Sequence, residues 1–455
     1  MNLEIQKLIG ASVGTKRWSA AFMPLQRKIL QEFPIKSSSA RLQSLKRHKC
    51  RAPSRSTATL PMDMSLGADP ETNCKESCGW IPPLARGVVL CTFLSASALL
   101  AAAATNRPPA HAQGFTYIHE QVREVPWSIH VMKIERGRPD LELTATLGRG
   151  DTLGMDVVSR QAVSLPSKLG KPIAAINGDF YRRNRSYPGD PEGMEIIDGE
   201  LISAPWPTRI CMWIDGAGNP HRTNVAPEFK VTFPDGTAVE FGLNEDRAYD
   251  DCILYTSAIG RSSRTSGGTD LVLERGGDGP WLPLRAGQTY TAKVREVVAG
   301  NAPLSRDVMV LSLGPRVYPR PPKVAPGAIL KISTATTPDV STAKMAIGGG
   351  PTLVRGGKAA SFSGFQMRHP RTAIGWNKDY FFMVEVDGRQ RNLSVGMTLS
   401  ELADYLVKLG CEEAMNFDGG GSATFWVLGN VMNSPSEGQE RPSANALVLV
   451  QKPRS

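Results

Sequence analysis

Residues 416–422, Asn416-Phe417-Asp418-Gly419-Gly420-Gly421-Ser422, join two strand-like runs with too little side chain to pack a core. Residues 413–417 predict a short buried strand and residues 423–427 the strand that leaves the turn, so Asp418 stands at a strand end with glycines behind it. Glycine accepts positive φ and lets a ligand come close to the backbone, and successive amides can form an anion-binding concavity. One carboxylate beside amide donors suits an anionic sugar or a phosphate. The plainer reading of the same residues is a glycine-rich hairpin or bulge in which Asp418 accepts backbone hydrogen bonds.

Similar punctuation runs through the chain upstream. Residues 115–147 alternate apolar and polar positions in three runs and predict a strand meander. Met155, Val158, Ala162 and Leu165 fall near helical spacing before Pro166. Asp198-Gly199 marks a hairpin, and Asp215-Gly216, Gly218-Asn219 and Asp235-Gly236 separate further β-rich runs. Residues 260–279 are polar and glycine-rich and predict a mobile loop or insertion, with strands resuming at 289–298 and 308–313. The proline-dense residues 315–326 suit a rigid connection within one domain. Thr398-Leu399-Ser400-Glu401 resembles a capping box opening a helix, with Leu402, Ala403, Leu406 and Leu409 on its apolar face and Gly410 as its stop. The expected class is α+β: mostly antiparallel sheet with a few packed helices, and glycine-rich strand-end loops forming one cleft.

The formal charge of +10 is a matter of location. Residues 1–112 hold 15 Lys+Arg against 6 Asp+Glu, and the remainder holds 38 against 37. A nearly neutral body excludes a global binder of nucleic-acid backbones. Residues 1–61 lack a sustained apolar period and are expected to be disordered or a spurious extension, with translation starting at Met62 or Met64. Residues 87–104 are apolar and small, and Ala110-His111-Ala112 gives a cleavage pattern, so residues 62–112 are expected to be a signal-peptide region cut after Ala112. The alternative for that run is a membrane anchor. The expected mature domain is then residues 113–455, periplasmic or secreted, with no stable anchor after cleavage. Cys50, Cys74, Cys78 and Cys91 precede it; Cys74 and Cys78 look like half a metal site with no second pair. Of the remaining Cys211, Cys252 and Cys411, the first two could pair.

Two further regions carry polar groups at strand ends. Residues 171–176 predict a buried strand running into Asn177-Gly178-Asp179-Phe180-Tyr181, followed by an arginine-rich loop at 182–189. A tight Asn-Gly turn would look the same. Nearer the C-terminus, a strand broken at Gly348-Gly349-Gly350 precedes Arg368-His369-Pro370-Arg371, and a strand at 380–386 ends in Asp387-Gly388-Arg389. Arg371 could clamp a phosphate or a carboxylate, and His369 could give up a proton; each could equally be an ordinary surface or packed residue.

In combination, Ala175–Tyr181, Gly348–Pro351, Arg371–Gly375, Asp387-Gly388 and Asn416–Phe425 resemble the phosphodiester glycosidase family over roughly residues 170–450. The resemblance implies hydrolysis of a sugar joined through its anomeric carbon to phosphate, so the expected partner is a phosphorylated glycan or polysaccharide and no cofactor is required. An oxocarbenium-like transition state usually needs one carboxylate at carbon and one group to move a proton, but a phosphodiester leaves readily and asks more for anion stabilisation. On that basis Asp418 is expected to face the anomeric centre, with Asp179 or Asp387 positioning water. Arg371 and the amides of Gly419, Gly420 and Gly421 would hold phosphate. Asn177, Asn416 and Ser422 would orient sugar hydroxyls, and Gly178, Gly349, Gly350 and His369 would complete the binding surface. Two other readings share these residues: a non-catalytic polysaccharide-binding or export factor, and a phosphodiesterase using Ca²⁺ or Mg²⁺ among Asp179, Asp387 and Asp418.

Overall fold

Alternation along two strands decides which side chains meet in the middle of this protein. In the computed structural model, which describes residues 113–183 and 188–452, a seven-stranded sheet opens with β1 (Phe115–Val122) and β2 (Trp127–Glu135). Along β2, Ile129 and Val131 point to one face while His130, Met132 and Ile134 point to the other. The expected extension with Cys50, the signal region with Cys74, Cys78 and Cys91, and most of the loop after Arg183 lie outside the described residues.

The remaining strands around the site are β3 (Leu141–Ala145), β4 (Lys171–Asn177), β5 (Ile210–Asp215), β6 (Ala343–Gly349), β7 (Thr352–Arg355), β8 (Arg371–Trp376), β9 (Tyr380–Val386), β10 (Glu413–Asn416), β11 (Phe425–Val427) and β12 (Ala446–Gln451). The seven-stranded sheet runs β1-β2-β9-β8-β10-β7 and ends on Lys358–Ala359. A five-stranded sheet runs from Asn430–Val431 through β11-β4-β12-β3, and another has β5 and β6 at its centre. Met132, Ile374, Met383 and Met415 from the first sheet pack against Ile176, Phe425 and Leu447 from the second and Met212 and Ile347 from the third. That shared core puts the C-terminal ends of β4, β6 and β10 at one place.

An eight-stranded sheet over residues 226–337 has its own core, including Phe229, Val231, Leu273, Tyr290 and Leu330. Pairing among the described strands is antiparallel, except where Gly242–Leu243 runs parallel to Cys252–Tyr255.

The α+β expectation is corrected to a mostly β fold. Among the described residues there are two α-helices, α1 (Val158–Val163) and α2 (Leu399–Lys408), and neither forms a layer. α2 is built as its sequence requires. The Thr398 hydroxyl accepts from the Glu401 amide at 3.1 Å, and the Thr398 amide donates to the Glu401 carboxylate at 2.9 Å. Its Leu402, Ala403 and Leu406 cover Ile129, Val131, Ala373 and Val384 on the outer face of the seven-stranded sheet. Burying each leucine there contributes about 1.5–3 kcal/mol.

The expected loop at 260–279 is also corrected, because Thr269–Arg275 is an interior strand of the eight-stranded sheet with Asp270, Leu271, Val272 and Leu273 buried. Cys211, Cys252 and Cys411 are all buried free thiols, so the possible Cys211–Cys252 bridge is absent. Among the described residues no helix is long and apolar enough to cross a membrane.

Candidate active site

The cavity forms where β8 and β10 deliver their ends to the glycine turn. It measures about 220 Å³ and is lined by Phe180, His369, Arg371, Arg389, Asn416, Asp418, Gly419, Gly420, Gly421 and Arg441. A larger depression of about 710 Å³, around Leu165, Ser167, Lys171 and Lys452, has no acidic side chain or histidine in its lining.

Asp418 is the carboxylate of the cavity. Its backbone amide donates to the Gly178 carbonyl at 3.0 Å and its own carbonyl accepts from Asn177 Nδ2 at 2.7 Å, so β4 holds it from both sides. One carboxylate oxygen accepts from the Gly419 amide at 2.9 Å, and the other lies 3.8 Å from Arg441 Nη2. Burial raises its pKa, and the Ser422 hydroxyl, the Gly419 amide and the nearby arginines only partly offset that. Ser422 is set for its part because Arg441 Nε and Nη2 both donate to its oxygen, at 3.0 and 2.8 Å, leaving the hydroxyl proton for Asp418.

Three arginines line the cavity with this one acid. Arg371 is held by its backbone surroundings, with Nε donating to the Met397 carbonyl at 2.8 Å and Nη2 to the Met367 carbonyl at 3.2 Å. Arg389 Nη2 lies 3.3 Å from His369 Nδ1. Since guanidinium can only donate, His369 Nδ1 carries the lone pair and Nε2 the proton. Burial, then Arg371 and Arg389, lower the pKa of His369, so it is neutral at neutral pH. Among the described residues neither Arg371 nor Arg389 has a carboxylate partner, whereas Arg441 is paired with Glu437 at 3.1 Å.

The turn needs its glycines for space. Gly420 has φ of +62°, and a Cβ there would stand 2.9 Å from Arg389 Nη2. Its amide donates to the Pro370 carbonyl at 2.9 Å, as the Gly419 amide does to Asp418, so two of the three amides are already engaged within the fold. Asn416 differs. Its Nδ2 donates to the Gly350 carbonyl at 3.1 Å, but its Oδ1 is buried without a hydrogen-bond partner, and the residue lines the cavity.

Several residues expected at the site hold it from behind. Asn177 is fully buried, and its Oδ1 accepts from the Thr372 hydroxyl at 2.7 Å and the Thr424 amide at 3.1 Å. Gly178 leaves room for the Asn445 and Ile347 side chains and Gly349 for those of Met415 and Phe417, while the Gly350 amide donates to the Asn416 carbonyl at 2.7 Å. Asp179 is buried and accepts from the Phe180 and Gly193 amides, both at 2.7 Å, and from Arg209 at 3.1 Å. Burial, opposed chiefly by Arg209, raises its pKa to about 6. The Arg209 guanidinium in turn lies over the Phe180 ring, 4.8 Å from its centroid.

Asp387 is also buried. Its Oδ1 accepts from the Ser434 amide at 2.7 Å and its Oδ2 from the Ser128 hydroxyl at 2.8 Å. The three aspartates expected to converge therefore do not, and Asp387 groups instead with His130 and Glu385. Phe180, Arg389 and Arg441 were not predicted as site residues. Phe180 lay inside the Asn177–Tyr181 motif and Arg389 directly after the Asp387-Gly388 strand end, whereas Arg441 left no signal.

Comparison with known proteins gives partial matches. A 68-residue stretch is 40% identical to N-acetylglucosamine-1-phosphodiester alpha-N-acetylglucosaminidase of Bos taurus, covering 15% of this chain and 12% of that protein. A 96-residue stretch is 32% identical to the SPbeta prophage-derived uncharacterized protein YomE of Bacillus subtilis (strain 168), covering 21% of this chain and 15% of that one. The chain thus matches only a small part of either relative. A crystal structure from Burkholderia pseudomallei K96243, of a protein provisionally named as exported, is similar in fold with a TM-score of 0.56 and 23% identity, covering 71% of this chain and 74% of the other. Residues 309–450, which supply all of the cavity lining except Phe180, match the family model described as phosphodiester glycosidase.

Proposed function

We propose that the cavity binds a sugar joined through its anomeric carbon to a phosphodiester and hydrolyses the bond between that carbon and oxygen. The observation that carries this reading is one carboxylate, Asp418, lining the same small cavity as two guanidinium groups, Arg371 and Arg389, that have no carboxylate partner among the described residues. A phosphodiester bears one negative charge, and the departing phosphomonoester gains another as the bond electrons pass to its oxygen. Fixed cations stabilise that gain, and no proton donor is needed on the leaving group. This fits a site whose histidine is neutral and whose other nearby acids are turned inward.

Asp418 faces the carbon, either bonding to it or guiding the incoming water as positive charge develops. The free Oδ1 of Asn416 accepts from a sugar hydroxyl, and Phe180 offers a ring face to the sugar or its acceptor. The products are a free sugar and a phosphomonoester. Export is part of the same proposal, supported by the apolar run at 87–104, the Ala110-His111-Ala112 pattern and the provisional name of the Burkholderia protein.

The test is turnover of a panel of sugar-1-phosphate diesters in ¹⁸O-labelled water. Label in the free sugar supports cleavage at carbon. Label in the phosphate would make the protein a phosphodiesterase, and binding without turnover would leave a glycan-binding module.

A further inference from the structure

Behind the cavity, His130 on β2 lies directly opposite Glu385 on β9, and Asp387 follows two residues later on the same face. All three are buried, at 2%, 0% and 1% exposure, and each offers a ligand atom within 4.8 Å of the other two. Glu385 Oε1 accepts from Asn433 Nδ2 at 3.2 Å, but Glu385 Oε2 has no hydrogen-bond partner. Among the described residues, the one ion pair recorded for either acid is His130 with Asp387 at 3.3 Å.

Protonation of the cluster does not resolve it. A charged His130 balances one carboxylate and leaves Glu385 Oε2 without a donor, and a proton placed on that oxygen would have no acceptor. Burying a charge without a partner is costly. A divalent cation between the three groups satisfies both carboxylates together.

We infer that His130, Glu385 and Asp387 form a buried binding site for a first-row divalent cation, Zn²⁺ by preference. One imidazole with two carboxylates and no sulfur suits Zn²⁺ or Mn²⁺ better than Ca²⁺ or Mg²⁺, which favour all-oxygen shells. The surrounding shell has the form such sites take. The Tyr117 hydroxyl is 2.7 Å from His130 Nδ1 and fixes the ring so that Nε2 faces the carboxylates, while Ser128 donates to Asp387 Oδ2 at 2.8 Å. The ion would tie β2 to β9 at the point where β9 passes through Asp387 and Gly388 to Arg389, and its place is structural.

The full chain, freed of metal with a chelator, is titrated with Zn²⁺ alone by calorimetry. One ion per chain is expected, with affinity reduced about 100-fold or more in Glu385→Gln and in His130→Gln. No binding by the wild type, or unchanged binding by either folded variant, would overturn the site. Should both variants fail to fold, X-ray absorption of the Zn²⁺-loaded wild type decides. A shell of nitrogen and oxygen with one imidazole supports the assignment, and a sulfur neighbour would place the ion on a cysteine and refute it. None of these readings depends on glycosidase turnover.

Discussion

Asn177 Nδ2 donates to the backbone carbonyl of Asp418 at 2.7 Å, so the acid of the cavity is positioned by an amide that never reaches it. The same side chain also accepts from Thr372 and from the Thr424 amide. Asn177→Ala leaves buried backbone groups unsatisfied and should cost about 3 kcal/mol of stability, with turnover falling as Asp418 loosens. Urea unfolding of the two proteins measures it, and equal midpoints would show that the strut contributes nothing.

Asp418→Asn keeps the shape of the turn and removes the charge at carbon. Turnover of the sugar phosphodiester should fall about 100- to 1000-fold. Binding of the anionic substrate should hold or tighten, because the cavity becomes more positive. Single-turnover rates and equilibrium binding, measured together, separate the two effects.

Of the arginines, Arg389 gives the cleaner experiment. Arg371 also donates to the Met367 and Met397 carbonyls, so Arg371→Ala should lower both stability and activity. Arg389→Gln removes a cation with fewer structural ties, and kcat/KM should fall about 10- to 100-fold with little change in thermal midpoint, a charged hydrogen bond being worth about 1.5–3 kcal/mol.

The acid limb of activity should follow Asp418. Its raised pKa means that the carboxylate forms at higher pH than that of an ordinary aspartate, so kcat/KM rises with pH as it ionises. Ser422→Ala removes a hydrogen bond that lowers this pKa and frees Arg441, and should move the limb to higher pH. An unmoved profile would assign the limb to another group.

Stability should fall as Asp179 ionises. Its folded pKa of about 6 lies above its ordinary value of 3.8, so its contribution is complete below the lower value and lost as pH rises through the higher one. The difference corresponds to about 3 kcal/mol between those limits. Unfolding free energies measured across this window for wild type and Asp179→Asn should converge at the acid end and separate toward neutrality.

Much of the site was legible because its chemistry sits on unusual local sequence. Three glycines after Asp418 bring no side chain to a core, and the Thr398 box announced α2. The roles of Asp179 and Asp387 were harder to read, since an acid at a strand end beside glycine looks the same whether it turns outward or into the core. Gly348 shows the inward case, because a Cβ there would collide with Asp179 Oδ2 and stand 2.8 Å from Gly193 Cα. Arg441 lies in a serine- and proline-rich segment without periodicity, and only tertiary folding brings it to Ser422. The strand Thr269–Arg275 was hidden by glycines on both flanks, and its short apolar run pairs with Thr289–Val298 and Met309–Leu313 across intervening loops.

β4 lies between β11 and β12 in its sheet, yet belongs to residues outside the matched 309–450 segment. A gene trimmed to that segment would encode every cavity arginine but leave two strands with bare edges, no Asn177 strut and no Phe180 wall. Expression trials built on the homologous boundaries alone should therefore yield aggregates, and the working unit for crystallography or engineering has to reach back at least through Lys171–Asn177 and the residues that follow it.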